Sequence, residues 1–181
     1  MGKVVNGVDT EAFQETVEAI KKDPSLAQAE FRATNQWDEA GHNQVCIQSY
    51  YLAGAEQQTR SKPFQFDADE PPALLGQDSG ANPVEYLLTA LSSCMTTSMV
   101  YHAAANGLPI ESMESKFEGE LDLRGFLDLD PSIPKGYSKI RATFKVKSSA
   151  SEEQLDHFYH FSPVYSMVSP TVPIEVTIIK E

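Results

Sequence analysis

The strongest constraint on the fold of this chain is one apolar segment, residues 83 to 105, with the pattern of a long helix. Glu85 is its only acidic residue, and it has no Lys or Arg. Asn82 is a suitable N-cap, Pro83 suits the first helical position, and Gly107 marks the end. A helix that is apolar on most sides is expected to be enclosed at the centre of a fold. Leu87, Leu91, Cys94, Ser98 and Tyr101 share one predicted face, which Leu88, Met95, Met99 and His102 widen.

The rest of the chain mixes helical and strand patterns, which predicts an α+β fold. A first helix is expected from Asp9 to Lys22, with Thr10 as its N-cap, and another begins near Ser151. Residues 125 to 136 contain two prolines and are expected to form a loop or lid. Strand patterns cover Val45 to Ile47, after a hairpin turn at Glu39 to Gly41, and then Phe64 to Phe66, Met113 to Leu123, Tyr137 to Lys147 and the stretch from Val172.

Composition limits the classes of function. A chain of 181 residues suits a single domain, here 1–181. Its 26 acidic and 14 basic residues give a formal charge of −12, which would repel nucleic acid, and no basic patch offsets it. No apolar run is long enough for a signal peptide or a membrane span, so we expect a soluble cytoplasmic protein. With only two cysteines, there is no disulfide framework and no Cys-x-x-Cys motif.

Cys94 is the candidate for chemistry. A thiol reacts as its thiolate, which a nearby cation or a helix N-terminus favours. Cys94 lies about three turns into the predicted helix, so the helix dipole helps little. From its spacing alone, packing as a small apolar core residue is the more common role for such a cysteine.

A family resemblance gives this cysteine more weight. Residues 82 to 95 (NPVEYLLTALSSCM) resemble the signature helix of OsmC-like proteins and of the related organic hydroperoxide resistance proteins. The Asp69 to Gly80 loop is similar to the one that precedes this helix in the family. Ser162-Pro163-Val164 and the final strand resemble a second family motif, Cys-Pro-Val. The similarity spans roughly residues 55 to 181, and the helix and hairpin of residues 1 to 54 are less certain.

The resemblance implies a mechanism without metal or cofactor. In active members a first cysteine attacks a small organic hydroperoxide and becomes a sulfenic acid, and a second closes a disulfide that a thiol reductant reopens. An Arg and a Glu hold the first thiol ionised. Cys94 matches the first cysteine, but position 162 is a serine, so the resolving step would need an external thiol. Cys46 could replace the missing cysteine only if its Cα came within about 7 Å of that of Cys94.

The other predicted site residues are less distinctive. Arg60 is the candidate cation, although an ordinary surface arginine fits as well. Glu85 is the candidate acid, yet it lies one residue later than in the hydroperoxide-resistance branch. This shift favours the other interpretation, a solvated or helix N-terminal carboxylate. His157 and His160 lack further metal ligands, so no metal is assigned. The residues expected to line the substrate cavity are Met95, Ser98, Met99, His102 and Ser162.

The resemblance also implies an architecture, in which antiparallel sheets enclose two long central helices in an intertwined homodimer. Two functions stay open. One is a one-cysteine hydroperoxide reductase acting in the oxidative stress response. The other is a non-catalytic OsmC-like protein that binds a small hydrophobic ligand or has a stress-related role.

Overall fold

The computed structural model describes residues 3–181, which form eleven strands and five α-helices. The strands are β1 Val4–Val5, β2 Val8–Asp9, β3 Glu30–Phe31, β4 Thr34–Glu39, β5 His42–Ile47, β6 Tyr50–Leu52, β7 Ala55–Gln57, β8 Phe64–Ala68, β9 Ile110–Leu121, β10 Tyr137–Ser148 and β11 Ile174–Lys180. The helices are α1 Thr10–Lys22, α2 Pro83–Ala105, α3 Leu123–Phe126, α4 Glu152–Tyr159 and α5 Pro163–Val168. Short 3₁₀ turns occur at Pro24–Ala27 and Pro72–Leu74.

The chain divides into two compact units. The N-terminal unit is Ala12–Leu87, and the C-terminal unit is Leu88–Glu181 together with the residues up to Glu11. Helix α2 therefore begins in the first unit and continues in the second.

The C-terminal unit is built on a three-stranded sheet in the order β11-β10-β9. β9 and β10 are antiparallel, whereas β10 and β11 are parallel. The alternation predicted for β10 is confirmed, because Ile140, Ala142, Phe144 and Val146 are at most 1% exposed. The predicted strand from Met113 to Leu123 ends earlier, at Leu121. Asp122 caps α3 by accepting a hydrogen bond from the Arg124 N–H, and this turns the chain out of the sheet.

One side of α2 forms the core of this unit. Leu91, Met95, Met99 and Ala103 repeat every fourth residue and are fully buried. On the other side Tyr101 is 45% exposed. The predicted enclosure on all sides is therefore not reached within one chain.

The N-terminal unit contains two small antiparallel sheets. Their strand orders are β4-β5-β8 and β3-β6-β7. The predicted hairpin is confirmed, since β4 and β5 meet at Ala40, which takes a positive φ of 46°. The predicted strand at Phe64–Phe66 is confirmed as part of β8. Helix α1 begins one residue later than predicted: Thr10 is already helical, and the carboxylate of Asp9 accepts the Glu11 N–H.

Among the described residues, no helix is both long enough and apolar enough to cross a membrane.

Candidate active site around Cys94

Cys94 is a free thiol on α2 and is half-buried. It lies next to the core residue Met95 and one turn beyond Leu91, at the border between the buried and open sides of the helix. This position is neither a sealed apolar pocket nor open surface. The core therefore holds the helix on one side of Cys94.

The residues predicted to surround the thiol divide by burial. Met95 and Met99 are fully buried in the core of the C-terminal unit, so they pack the buried side of the helix. Ser98 and His102 are half-buried and follow Cys94 at intervals of four residues, on the same side of α2. These two side chains are the ones placed to line a site along the helix.

His102 is held by aromatic rings that the sequence pattern does not place beside it. Its imidazole stacks on Phe161, with ring centroids 4.0 Å apart and planes 20° apart, and on Phe158 at 6.0 Å. Burial, and then the nearby His157, lower the pKa of His102 below its ordinary value. The imidazole is therefore biased toward its neutral form. The available signal was the run of rings at positions 157 to 161, immediately before Ser162.

Ser162 is fully buried and has a structural role of its own. Its hydroxyl accepts a hydrogen bond from the Tyr165 N–H at 3.1 Å, which makes it the N-cap of α5, and Pro163 follows at the first helical position. Its own N–H donates to the Tyr159 carbonyl at 2.9 Å. Ser162 is thus a helix cap, and its side chain carries no thiol.

Glu85 is engaged at the start of α2. Its carboxylate accepts the Asn82 N–H at 2.9 Å, while the Asn82 side chain accepts the Val84 N–H at 3.0 Å. This reciprocal pair satisfies backbone donors that a helix N-terminus otherwise leaves open. These are the contacts of a helix N-terminal carboxylate, which is the second of the two roles that the sequence allows for Glu85.

Arg60 lies in the N-terminal unit, between two aromatic rings. Its guanidinium carbon is 4.8 Å from the ring centroid of Tyr50 and 5.1 Å from that of Phe64. Its Nη1 donates to the Gln48 carbonyl at 3.1 Å. The guanidinium is therefore fixed in place by cation–π contacts and one backbone acceptor.

Cys46 lies on β5 of the N-terminal unit and is also a free, half-buried thiol. Its neighbours across the sheet are Thr34 on β4 and Gln65 on β8. Its use as a substitute for the missing second cysteine stays a prediction.

The loop before α2 is organised by Asp69, which is only 2% exposed. Its carboxylate accepts hydrogen bonds from the N–H groups of Glu70, Gln77 and Ser79, at 2.8 to 3.1 Å, and from the Ser79 hydroxyl. These bonds, led by the Ser79 N–H, lower the pKa of Asp69 to about 2. The loop also needs glycine, because a Cβ at Gly76 would lie 1.8 Å from the Glu70 carbonyl oxygen.

Within residues 3–181, no group of three or more His, Cys, Asp or Glu side chains is arranged to hold a metal ion.

A comparison with models of protein families shows which family this chain belongs to. The family model for OsmC-like proteins matches residues 76–179, which run from the loop before α2 into β11. This chain belongs to the OsmC-like family. The match contains both Cys94 and Ser162, the positions on which the sequence resemblance rests. No functionally curated protein matches the sequence.

Solved OsmC-like structures share the fold at low sequence identity. An OsmC-like protein from Mycoplasma pneumoniae is 16% identical, with a TM-score of 0.62, over 83% of this chain and 96% of that one. An organic hydroperoxide resistance protein from Elizabethkingia anophelis is 13% identical, with a TM-score of 0.61, over 84% and 96% of the two chains. The Legionella pneumophila organic hydroperoxide resistance protein OsmC is 15% identical, with a TM-score of 0.56, over 83% and 96%. These likenesses establish an OsmC-like α+β fold.

Proposed function

We propose that this protein is a one-cysteine organic hydroperoxide reductase in which Cys94 is the nucleophile. The observation that carries the proposal is the free, half-buried thiol on α2, within the segment that matches the family model. Two solved structures of similar fold are described as organic hydroperoxide resistance proteins, and this supports the same substrate class here.

The proposed reaction has two stages. The Cys94 thiolate attacks the outer oxygen of the hydroperoxide, the O–O bond breaks, and the alkoxide leaves as an alcohol after taking up a proton. The cysteine is thereby oxidised to a sulfenic acid. One external thiol then displaces water to form a mixed disulfide, and a second thiol releases the reduced enzyme as it becomes oxidised itself.

The external reductant follows from the residue at position 162. A serine hydroxyl cannot form a disulfide, and this one is fully buried as the cap of α5.

Arg60 remains the proposed cation that favours the thiolate, and Glu85 remains the proposed acidic partner. Ser98 and His102 are the proposed substrate contacts on the half-buried side of α2.

We also propose that the working form is a cytoplasmic homodimer. Within one chain α2 leaves a side open, and large apolar side chains of the C-terminal unit are exposed, including Phe126 at 60% and Met167 at 68%. A second copy that covers such surfaces would complete the enclosure that the apolar sequence of α2 predicts. A catalytic free thiol also suits the reducing cytoplasm. Size-exclusion chromatography with light scattering should give twice the chain mass, and a monomer at micromolar concentration would contradict this proposal.

The activity is tested by mixing the purified protein with cumene hydroperoxide and dithiothreitol, or with a dihydrolipoyl reductant. Peroxide consumption should be saturable, and Cys94→Ser should reduce it to the rate without protein. Cys46→Ser is the matched control, since it removes the other free thiol and should retain turnover. Dimedone should label Cys94 after peroxide treatment.

The second candidate is a non-catalytic binder of a small hydrophobic ligand, which the half-buried apolar residues of α2, such as Leu88 and Val100, favour. If neither reductant supports turnover and dimedone labels no cysteine, the reductase proposal fails. Saturable binding of an apolar fluorescent probe, equal in wild type and Cys94→Ser, would then support this candidate.

A further inference from the structure

The pocket around Arg60 has a lining that suits a ligand of its own, apart from any effect of Arg60 on the Cys94 thiol. It is an open pocket of about 420 Å³, and all of its lining belongs to the N-terminal unit. Apart from Arg60 the lining is uncharged, and it consists of Gln48, Ser49, Gln57, Gln58 and Ser61. One cation surrounded by amides and hydroxyls is chemically suited to an anion.

The ion pairing of the arginines points the same way. The chain has four arginines and 26 acidic residues. Arg32 pairs with two glutamates, Arg124 pairs with Asp122, and Arg141 pairs with Glu120. Within residues 3–181 no carboxylate lies within 4.0 Å of the Arg60 guanidinium. In a chain with a formal charge of −12, this arginine faces neutral groups instead.

The guanidinium is nevertheless held in one place. The ring centroids of Tyr50 and Phe64 lie 4.8 and 5.1 Å from its central carbon, and the Gln48 carbonyl accepts a hydrogen bond from Nη1. Arg60 is half-buried, and in the described part of the chain no hydrogen bond involves its Nε or Nη2. These two N–H groups lie along one edge of the planar fork, which is the geometry that binds both oxygens of a carboxylate.

We propose that the Arg60 pocket is a binding site for a small carboxylate, which pairs with the Nε and Nη2 edge while the amides of Gln48 and Gln58 and the neighbouring hydroxyls solvate it. The Gln57 amide is already bound, because it donates to the Leu52 carbonyl at 2.9 Å. A monoanion is favoured over a phosphate dianion because the pocket supplies one positive charge inside a strongly acidic protein. The inference rests on the surroundings of Arg60 alone, so it holds whether or not Cys94 reduces hydroperoxides.

The test uses sodium benzoate as the probe and the full-length protein carrying Cys94→Ser, so that no reaction of that thiol contributes. Binding is followed by the side-chain amide signals of the glutamines in two-dimensional ¹⁵N NMR spectra at fixed ionic strength. Saturable shifts of the Gln48 and Gln58 amides are expected at millimolar benzoate. Benzamide, a neutral analogue of similar shape, should shift neither.

Two variants show whether Arg60 carries the binding. Arg60→Gln should weaken benzoate binding about 10- to 100-fold, because a charge-assisted pair contributes about 1.5–3 kcal/mol. Arg60→Lys retains the charge and loses the planar fork, so its affinity should be intermediate. Arg141→Gln is the matched control, since it removes an arginine that is already paired with Glu120, and it should bind as wild type.

Several results would overturn the proposal. These are the absence of saturable shifts in the wild-type pocket, equal binding of benzamide, or unchanged affinity in Arg60→Gln. Tighter binding of inorganic phosphate than of benzoate would refute the assignment to a carboxylate. If Arg60→Gln loses its native spectrum, the Arg60→Lys affinity decides, and an affinity equal to that of wild type refutes the bidentate geometry.

Discussion

Replacing Ser162 with alanine tests whether this serine is retained as a helix cap. The hydroxyl accepts the Tyr165 N–H at 3.1 Å at the start of α5. Alanine has no acceptor, so that N–H would lose its partner. Because position 162 is fully buried, water has no easy access to replace the hydroxyl.

The size of the effect follows from the cap and its burial. Loss of an N-cap costs about 0.5–2 kcal/mol, and a buried donor left unsatisfied places this site in the upper half of that range. We therefore expect the free energy of unfolding to fall by about 1–2 kcal/mol. For a chain of this length each kcal/mol lowers the melting temperature by about 2–4 °C, so the midpoint should fall by about 2–8 °C.

The assay is thermal unfolding followed by circular dichroism, at one protein concentration for all variants because any self-association makes the midpoint depend on concentration. Ser166→Ala is the control, since Ser166 is exposed in the same short helix and alanine is a good helix former. Its midpoint should stay level or rise slightly. If the melting midpoints of Ser162→Ala and Ser166→Ala differ by less than about 1 °C, the expected fall is absent and the capping explanation is wrong.

Two further predictions concern the loop before α2 and the β9–β10 pair. The pKa of Asp69 is lowered to about 2 from an ordinary value of 3.8, so its stabilising effect is complete above pH 3.8 and is lost as the pH falls through about 2. Acid titrations should show Asp69→Asn to be less stable at pH 7 and less sensitive to pH in that window. Gly119→Ala should lower the melting temperature by several degrees or unfold the protein, because its Cβ would lie 2.4 Å from the Tyr137 ring, and overpacking typically costs about 1–3 kcal/mol.

Each of these variants has a matched control. Asp128→Asn removes an exposed carboxylate and should leave the acid sensitivity of stability unchanged. Gly136→Ala places its Cβ in open space and should melt close to wild type. Equal acid profiles for Asp69→Asn and wild type would contradict the first prediction. Equal melting of the two glycine variants would contradict the second.

Local patterns were enough to predict most of the secondary structure. The alternation in β10, the hairpin at Ala40 and the span of α2 from Pro83 to Ala105 all appear as expected. These features depend on side chains that repeat every two or every 3.6 residues, which the sequence shows directly. Strand β9 ends at Leu121 instead of the predicted Leu123, because Asp122 starts a new helix through a hydrogen bond that periodicity does not reveal.

The candidate site was predictable only in part. Cys94 was found from a family motif that is continuous along the chain. The ring of Phe161 against His102 was missed because the two residues are 59 positions apart and meet only through folding. The sequence resemblance marks Ser162 only as a missing thiol, whereas its function as a cap depends on the position of the Tyr165 N–H, which the fold supplies.

The sequence by itself determined the family, the long apolar helix and the residue that carries the thiol, because each is encoded in neighbouring or regularly spaced residues. Only the tertiary structure decided which side of α2 is buried and that Arg60 faces neutral groups between two rings. The reason is physical: burial and charge pairing depend on distances between segments remote in sequence, and those distances exist only in the folded chain.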